Sequence, residues 1–245
     1  MEKKKNDFIA QGSILAIASI LVRVMGMIYR IPMTAIIGDK GNGFYSYAYS
    51  VYTILLLLSS YSLPLAVSKM VSAKAQLGQW RNVKRVFICA IAFAIGIGTT
   101  FGLIVLIGAQ FFTRVFFHSE LAAIALRFMA PTILIMALLG VFRGFFQGLQ
   151  NTLPTAVSQI VEGLINAIMS VVFAYFLFDF GHGMDAAGGT TDLGYAWGAA
   201  GGAIGTGAGA LAGLIFCFIL FVAYRKILAV NISRDKTGTQ QEYGD

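Results

Sequence analysis

Arg23 and Arg30 lie inside the first long apolar stretch of the chain, residues 8–37. Their seven-residue offset is close to two helical turns, which sets both guanidinium groups on one face about 10 Å apart. An arginine near the centre of a bilayer costs roughly 2.5–3.5 kcal/mol on insertion scales, so such a residue turns toward a cavity, a buried partner or a substrate path. A long side chain can instead lift its charge to the interface. Arg30 stands seven residues before Ile37 and needs about 10 Å to reach water, so that route is open to it. Arg23 is about 20 Å from either end of the stretch, beyond side-chain reach, and is expected to face a cavity or partner.

Two later apolar stretches carry polar residues at helical spacing. Arg143, Gln147 and, just past the end of the stretch over residues 121–149, Gln150 are expected to share one face, and Gln159, Glu162, Asn166 and Ser170 share one face of residues 155–178. One reading is internal glue, with Glu162 neutralising an arginine and the amides bonding between helices. The other is a binding cavity. Arg23, Arg30 and Arg143 outnumber Glu162, the single acid embedded with them, so pairing leaves at least one arginine without a protein counterion. An anionic ligand is the natural complement. Arginine suits phosphate in particular, because its planar fork donates two hydrogen bonds at once and never loses its charge. Arg127 is a secondary candidate, only six residues from the outer end of its stretch and able to snorkel.

No arrangement for catalysis accompanies these residues. No serine or cysteine is placed with a histidine as nucleophile and base, no H-E-x-x-H or P-loop occurs, and His118 and His182 both fall between apolar stretches. His182 is expected to be solvated. The chain is therefore expected not to be an enzyme and to hold neither cofactor nor metal. Cys89 and Cys217 lie within apolar stretches with no second ligand at metal spacing, and are expected to be small buried residues.

The elements that must carry these side chains follow from composition. Of 245 residues, 58% are hydrophobic and 12% charged, about half the charge of a soluble domain, and the mean hydropathy is +0.77. Six stretches are long enough to cross a bilayer as helices: residues 8–37, 43–67, 86–112, 121–149, 155–178 and 196–224. Strand-like alternation is absent, so an all-α, six-span membrane lobe is expected rather than a β-barrel. Lys3, Lys4, Lys5, Lys69, Lys74, Arg81, Lys84, Arg85, Arg225, Lys226, Arg234 and Lys236 fall in the two tails and the loop from Ser68 to Arg85, whereas the alternate loops hold only Lys40 and Arg114. Twelve against two places both termini and that loop in the cytoplasm. The net charge of +7 is then a topology signal, and nucleic acid is not an expected partner. The length of the first run and Arg23 within it argue against a cleaved signal peptide.

Three regions emerge: a cytoplasmic tail over residues 1–7, a spanning lobe over 8–224 and a polar cytoplasmic tail over 225–245. Ala73, Lys74, Ala75, Gln76 and Leu77, closed by Gly78, predict a short amphipathic helix on the cytoplasmic surface. Asn151 to Pro154 predict a tight turn into the fifth stretch, and Gly181 to Gly194, with His182, Asp185, Gly188, Gly189 and Asp192, a flexible outer loop. Gly140, Gly144 and Gly148, and Gly201, Gly205, Gly209 and Gly213, repeat every fourth residue and predict close helix contacts. Gly207 to Ala212 satisfies a G-x-G-x-x-A dinucleotide pattern, but no strand precedes it, so the match carries no cofactor.

The segment Arg143-Gly-Phe-Phe-Gln-Gly-Leu-Gln-Asn-Thr-Leu-Pro154, together with Arg23-Val24-Met25-Gly26 and Tyr29-Arg30-Ile31-Pro32, resembles flippases of the multidrug/oligosaccharidyl-lipid/polysaccharide exporter superfamily. Within it the nearest branch holds the MurJ-type lipid II flippases and the stage V sporulation protein B group. The resemblance extends to about Tyr224. It implies alternating-access transport of an undecaprenyl-pyrophosphate-linked saccharide to the outer leaflet of the bacterial cytoplasmic membrane, with Arg23 and Arg30 in the family's cavity-arginine positions. Family members have two facing lobes, and this chain matches the first. It is therefore expected to be a fragment, or to work with a second copy or a separate second half.

The expected function is thus a lobe of a lipid-linked saccharide flippase. Arg23 and Arg30 would engage the pyrophosphate, while Arg143, Gln147, Glu162 and Asn166 line or brace the cavity. Two alternatives remain: a cation-coupled multidrug antiporter with Glu162 as the cation or proton site, and a non-transporting membrane interaction protein whose glycine ridges meet its partner.

Overall fold

The computed structural model describes residues 2–188 and 192–235, with side chains from residue 12 onward apart from that of residue 187. The side chains of Lys3, Lys4 and Lys5, outer-loop Gly189, Lys236 and the tail beyond it lie outside the described residues. Every regular element among the described residues is helical: α1 Glu2–Ser59, α2 Leu63–Gln76, α3 Trp80–Phe117, α4 Ala122–Gly148, α5 Leu153–Gly188 and α6 Leu193–Arg234. Among the described residues five stretches are long and apolar enough to cross a membrane, the first of them, Gly12–Gln76, taking in most of α1 and all of α2. The protein is an all-α, multi-pass membrane protein.

The first expected stretch and the second as far as Ser59 run in α1, kinked at Gly38, whose φ of 64° and ψ of −179° lie where essentially only glycine goes without strain; residues 63–67 of the second belong to α2. The bend folds α1 back on itself. Descending α6, Gly198 packs against Ile37 and Gly202 against Met33, so the first half of α1 runs against α6. The second half runs with it: Gly41 meets the carbonyl of Tyr195, and the Tyr45 hydroxyl lies 3.2 Å from that of Thr206. A straight helix would hold Arg23 and Tyr52 about 44 Å apart; here both line one cleft.

Glycine rows set the helix spacing. On α4, Gly140, Gly144 and Gly148 meet Pro64, Val67 and Val71 of α2. On α6, Gly201 abuts the backbone at Phe173 and Ala174 of α5, Gly205 abuts Ser170, and Gly209 abuts the carbonyl of Glu162 and the side chain of Asn166. Without a hydrophobic drive between helices in lipid, such backbone approach is what dispersion and short polar contacts need. These ridges are consumed inside the lobe, which removes the partner surface that the interaction-protein alternative assigned to them. Beside α2, Phe87, Phe142 and Phe145 are buried together, and the half-buried Phe221 packs on them, stacked on Phe87 at 4.5 Å.

Several expectations are corrected in detail. The helix expected near Ala73 begins ten residues earlier, at Leu63, with Pro64 in its first turn, and ends before Gly78 at φ 72°. The region from Gly181 is not loop: α5 continues to Gly188. Gly181 lets α5 approach the backbone of Leu193 and Gly194, whose N–H groups donate to the buried Asp185 carboxylate at 3.0 and 2.9 Å. His182 is exposed but stacks on Phe178. Cys217 is buried, whereas Cys89 is exposed along a groove between α2 and α3. The helix that carries the sixth stretch, expected over residues 196–224, is longer: α6 runs Leu193–Arg234. Pro154 opens α5 as expected.

Candidate functional site

The bend at Gly38 determines the site, because it brings the N-terminal half of α1 beside its C-terminal half. Between them, and closed by Met136 of α4, Glu162 and Asn166 of α5 and Thr206 of α6, lies an open cleft of about 600 Å³. Arg23 and Arg30 line it from the first half of α1. Both are exposed, and among the described residues neither makes an ion pair.

The acid in the cleft is already engaged. Glu162 Oε2 accepts from Arg143 Nη2 at 2.7 Å, and Arg143 Nε donates to Ser158 Oγ at 2.9 Å. Ser158 in turn donates to the carbonyl of Thr155 at 2.8 Å. The guanidinium is 11% exposed and the carboxylate 25%, so this is a half-buried, charge-assisted bond of the strong kind. The charge of Arg143 is balanced by Glu162, the acid that lines the cleft, and two arginines remain beside it.

The other named residues separate by position. Asn166 lines the cleft, and its Oδ1 accepts from Ser170 Oγ at 2.8 Å, leaving the amide nitrogen as a donor. Gln147 donates to Thr155 at 3.3 Å, at the α4–α5 junction away from the cleft. Gln159 accepts from Ser19 at 3.4 Å and ties α5 to α1. Arg127 is exposed on α4 and does not line the cleft. The structure thus brings together Arg23, Arg30, Glu162 and Asn166, with Arg143 held one bond behind Glu162.

Sequence reasoning missed the tyrosines. Tyr29, Tyr45, Tyr49 and Tyr52 all border the cleft. The available signal was their depth: tyrosine concentrates at membrane interfaces, whereas Tyr49 and Tyr52 sit mid-stretch, at i, i+4 and i+7 from Tyr45.

At the ends of the lobe, Lys40 Nζ bonds Asp192 Oδ1 at 2.9 Å, which holds the Lys40 ammonium above the ordinary lysine range. At the opposite end Asp235 Oδ2 accepts from the Arg81 N–H at 2.9 Å.

Stage V sporulation protein B of Bacillus subtilis (strain 168) is 26% identical over 228 residues, covering 93% of this chain and 41% of that protein. The lipid II flippase MurJ of the same organism is 27% identical over 163 residues, 63% of this chain and 30% of the relative. The uncharacterized membrane protein YabM is 26% identical over 185 residues, 75% and 34%. The chain spans less than half the length of these relatives. No solved structure matches it significantly. The profile of one family, described as polysaccharide biosynthesis protein, matches residues 8–237. With that match over nearly its whole length, the chain belongs to the polysaccharide biosynthesis protein family.

Proposed function

We propose that this chain is the first lobe of a flippase that moves an undecaprenyl-pyrophosphate-linked saccharide from the inner to the outer leaflet by alternating access. In this reading Arg23 and Arg30 bind the pyrophosphate, Asn166 lines the same cavity, and Arg143 and Glu162 brace it with Gln147 behind them. One observation carries the reading: two arginines face an open cleft at membrane depth, and the acid that could neutralise one of them is bound to Arg143. The relative named as a lipid II flippase supports the same substrate class.

The lobe crosses the membrane six times in this reading, α1 twice, with both termini and α2 cytoplasmic in a bacterial cytoplasmic membrane. Two contacts agree with that topology, since Lys40 meets Asp192 at the outer end and Arg81 meets Asp235 at the inner. A single lobe offers only one wall to a substrate, so a second lobe faces this one, supplied by further residues of the same protein, a separate chain or a second copy.

The antiporter alternative needs Glu162 to hold a cation or proton, and Arg143 at 2.7 Å weighs against it. Equilibrium binding to the chain in lipid nanodiscs tests both. Undecaprenyl pyrophosphate should bind and tetraphenylphosphonium should not; the reverse preference would return the site to Glu162 and refute the flippase reading.

A further inference from the structure

The arginines occupy one wall of the cleft, and the other wall is aromatic. Tyr45, Tyr49 and Tyr52 recur on one face of the second half of α1. Tyr45 and Tyr52 are buried, 1% and 3% exposed, and Tyr45 is anchored at 3.2 Å to Thr206. Tyr49 is different: it is 38% exposed, and its ring lies 5.8 Å from that of Tyr45, only 20° from parallel. Tyr45 therefore backs a half-open ring that faces a cleft.

Depth makes this placement unusual. The two halves of α1 run antiparallel from Gly38, so Arg30 lies about 12 Å below the bend, Tyr49 about 16 Å and Arg23 about 22 Å. Tyr49 is thus level with the span between the two arginines and far from the interfacial belt where its hydroxyl would find water. Asn166 adds a free amide donor to the same cleft. A cationic wall facing an exposed aromatic ring and an amide suits a ligand that is anionic at one end and polyhydroxylated at the other. The polarised C–H face of a pyranose packs on the electron-rich face of an aromatic ring, while its hydroxyls accept from an amide.

We infer that Tyr49, backed by Tyr45 and aided by Asn166, is the subsite that recognises the first sugar attached to the pyrophosphate. This inference rests on the flippase reading, and its test separates the two. Binding is measured in nanodiscs for undecaprenyl pyrophosphate and for the same lipid carrying one N-acetylhexosamine. Wild type should prefer the glycosylated lipid; Tyr49→Ala should lower affinity for it about tenfold while binding the bare lipid as before, and Tyr49→Phe should keep the preference. Equal affinity of wild type for the two lipids, or equal loss on both in Tyr49→Ala, would overturn the sugar subsite and leave the arginine site standing. Failure of wild type to bind either lipid would overturn the flippase reading and this inference with it. Should Tyr49→Ala fold poorly, saturation transfer from tyrosine ring protons to the sugar ring protons of the glycosylated lipid in the wild-type protein decides the matter: transfer is expected, and its absence with the lipid bound refutes the subsite.

Discussion

At the scale of single residues, Arg143 and Glu162 do opposite work to Arg23 and Arg30. The pair is half-buried and joined at 2.7 Å, so removing one member strands a charge inside the lobe, at a typical cost of about 3–5 kcal/mol. Arg143→Ala and Glu162→Ala should each lower membrane abundance sharply, and Arg143→Met with Glu162→Leu should restore it. Arg23→Ala removes no protein partner and should leave abundance near normal. Comparable loss in Arg23→Ala, or rescue of Arg23→Ala by Glu162→Ala, would mean that Arg23 is the counterion after all. The sequence made both arginines of α1 conspicuous because charge at that depth is rare. It could not say which arginine Glu162 would take, since pairing depends on how α4 and α5 face each other after the tight turn at Pro154. Tyr49 went unnoticed for a related reason: in an apolar run a tyrosine counts as hydrophobic until its exposure to a cleft is known.

At the scale of elements, glycine carries the information that hydropathy lacks. Gly38 stands at φ 64° and ψ −179°, where a Cβ costs about 1–3 kcal/mol. Gly38→Ala should lower unfolding stability in mixed micelles by about that amount, whereas Gly43→Ala, in helix and with an added Cβ that would meet nothing within 4 Å, should leave it unchanged or raise it by up to about 1 kcal/mol. Equal effects would mean that the bend is not held by Gly38. The rows on α4 and α6 were legible as close contacts from their four-residue period, and they are. Gly181 was misleading: glycine with Asp185 and Gly188 reads as loop, yet Gly181 admits the backbone of α6 and Asp185 takes two of its amide protons. A tertiary contact there overrides local propensity.

At the scale of the whole molecule, the fold class was readable because long apolar runs interrupted by clustered lysine and arginine admit few alternatives. The cleft was readable only as a surplus of charge, and its walls required the bend. The six crossings and the orientation proposed above are open to a labelling test. With Cys89→Ser to silence an exposed thiol, Gln79→Cys should be shielded from an impermeant thiol reagent in intact cells, whereas Gly183→Cys, open to its surroundings, should react. External labelling of Gln79→Cys would reverse the orientation. In the proposed function, Arg23 and Arg30, which make no ion pair among the described residues, hold an anionic lipid headgroup. The most direct measurement is the dissociation constant of undecaprenyl pyrophosphate for the chain in zwitterionic nanodiscs, taken for wild type, Arg23→Gln, Arg23→Lys and Arg30→Gln. Charged hydrogen bonds of about 1.5–3 kcal/mol predict a ten- to hundredfold loss in each glutamine variant, and a smaller loss in Arg23→Lys, which keeps the charge without the fork. Wild-type affinity in both glutamine variants would contradict the account.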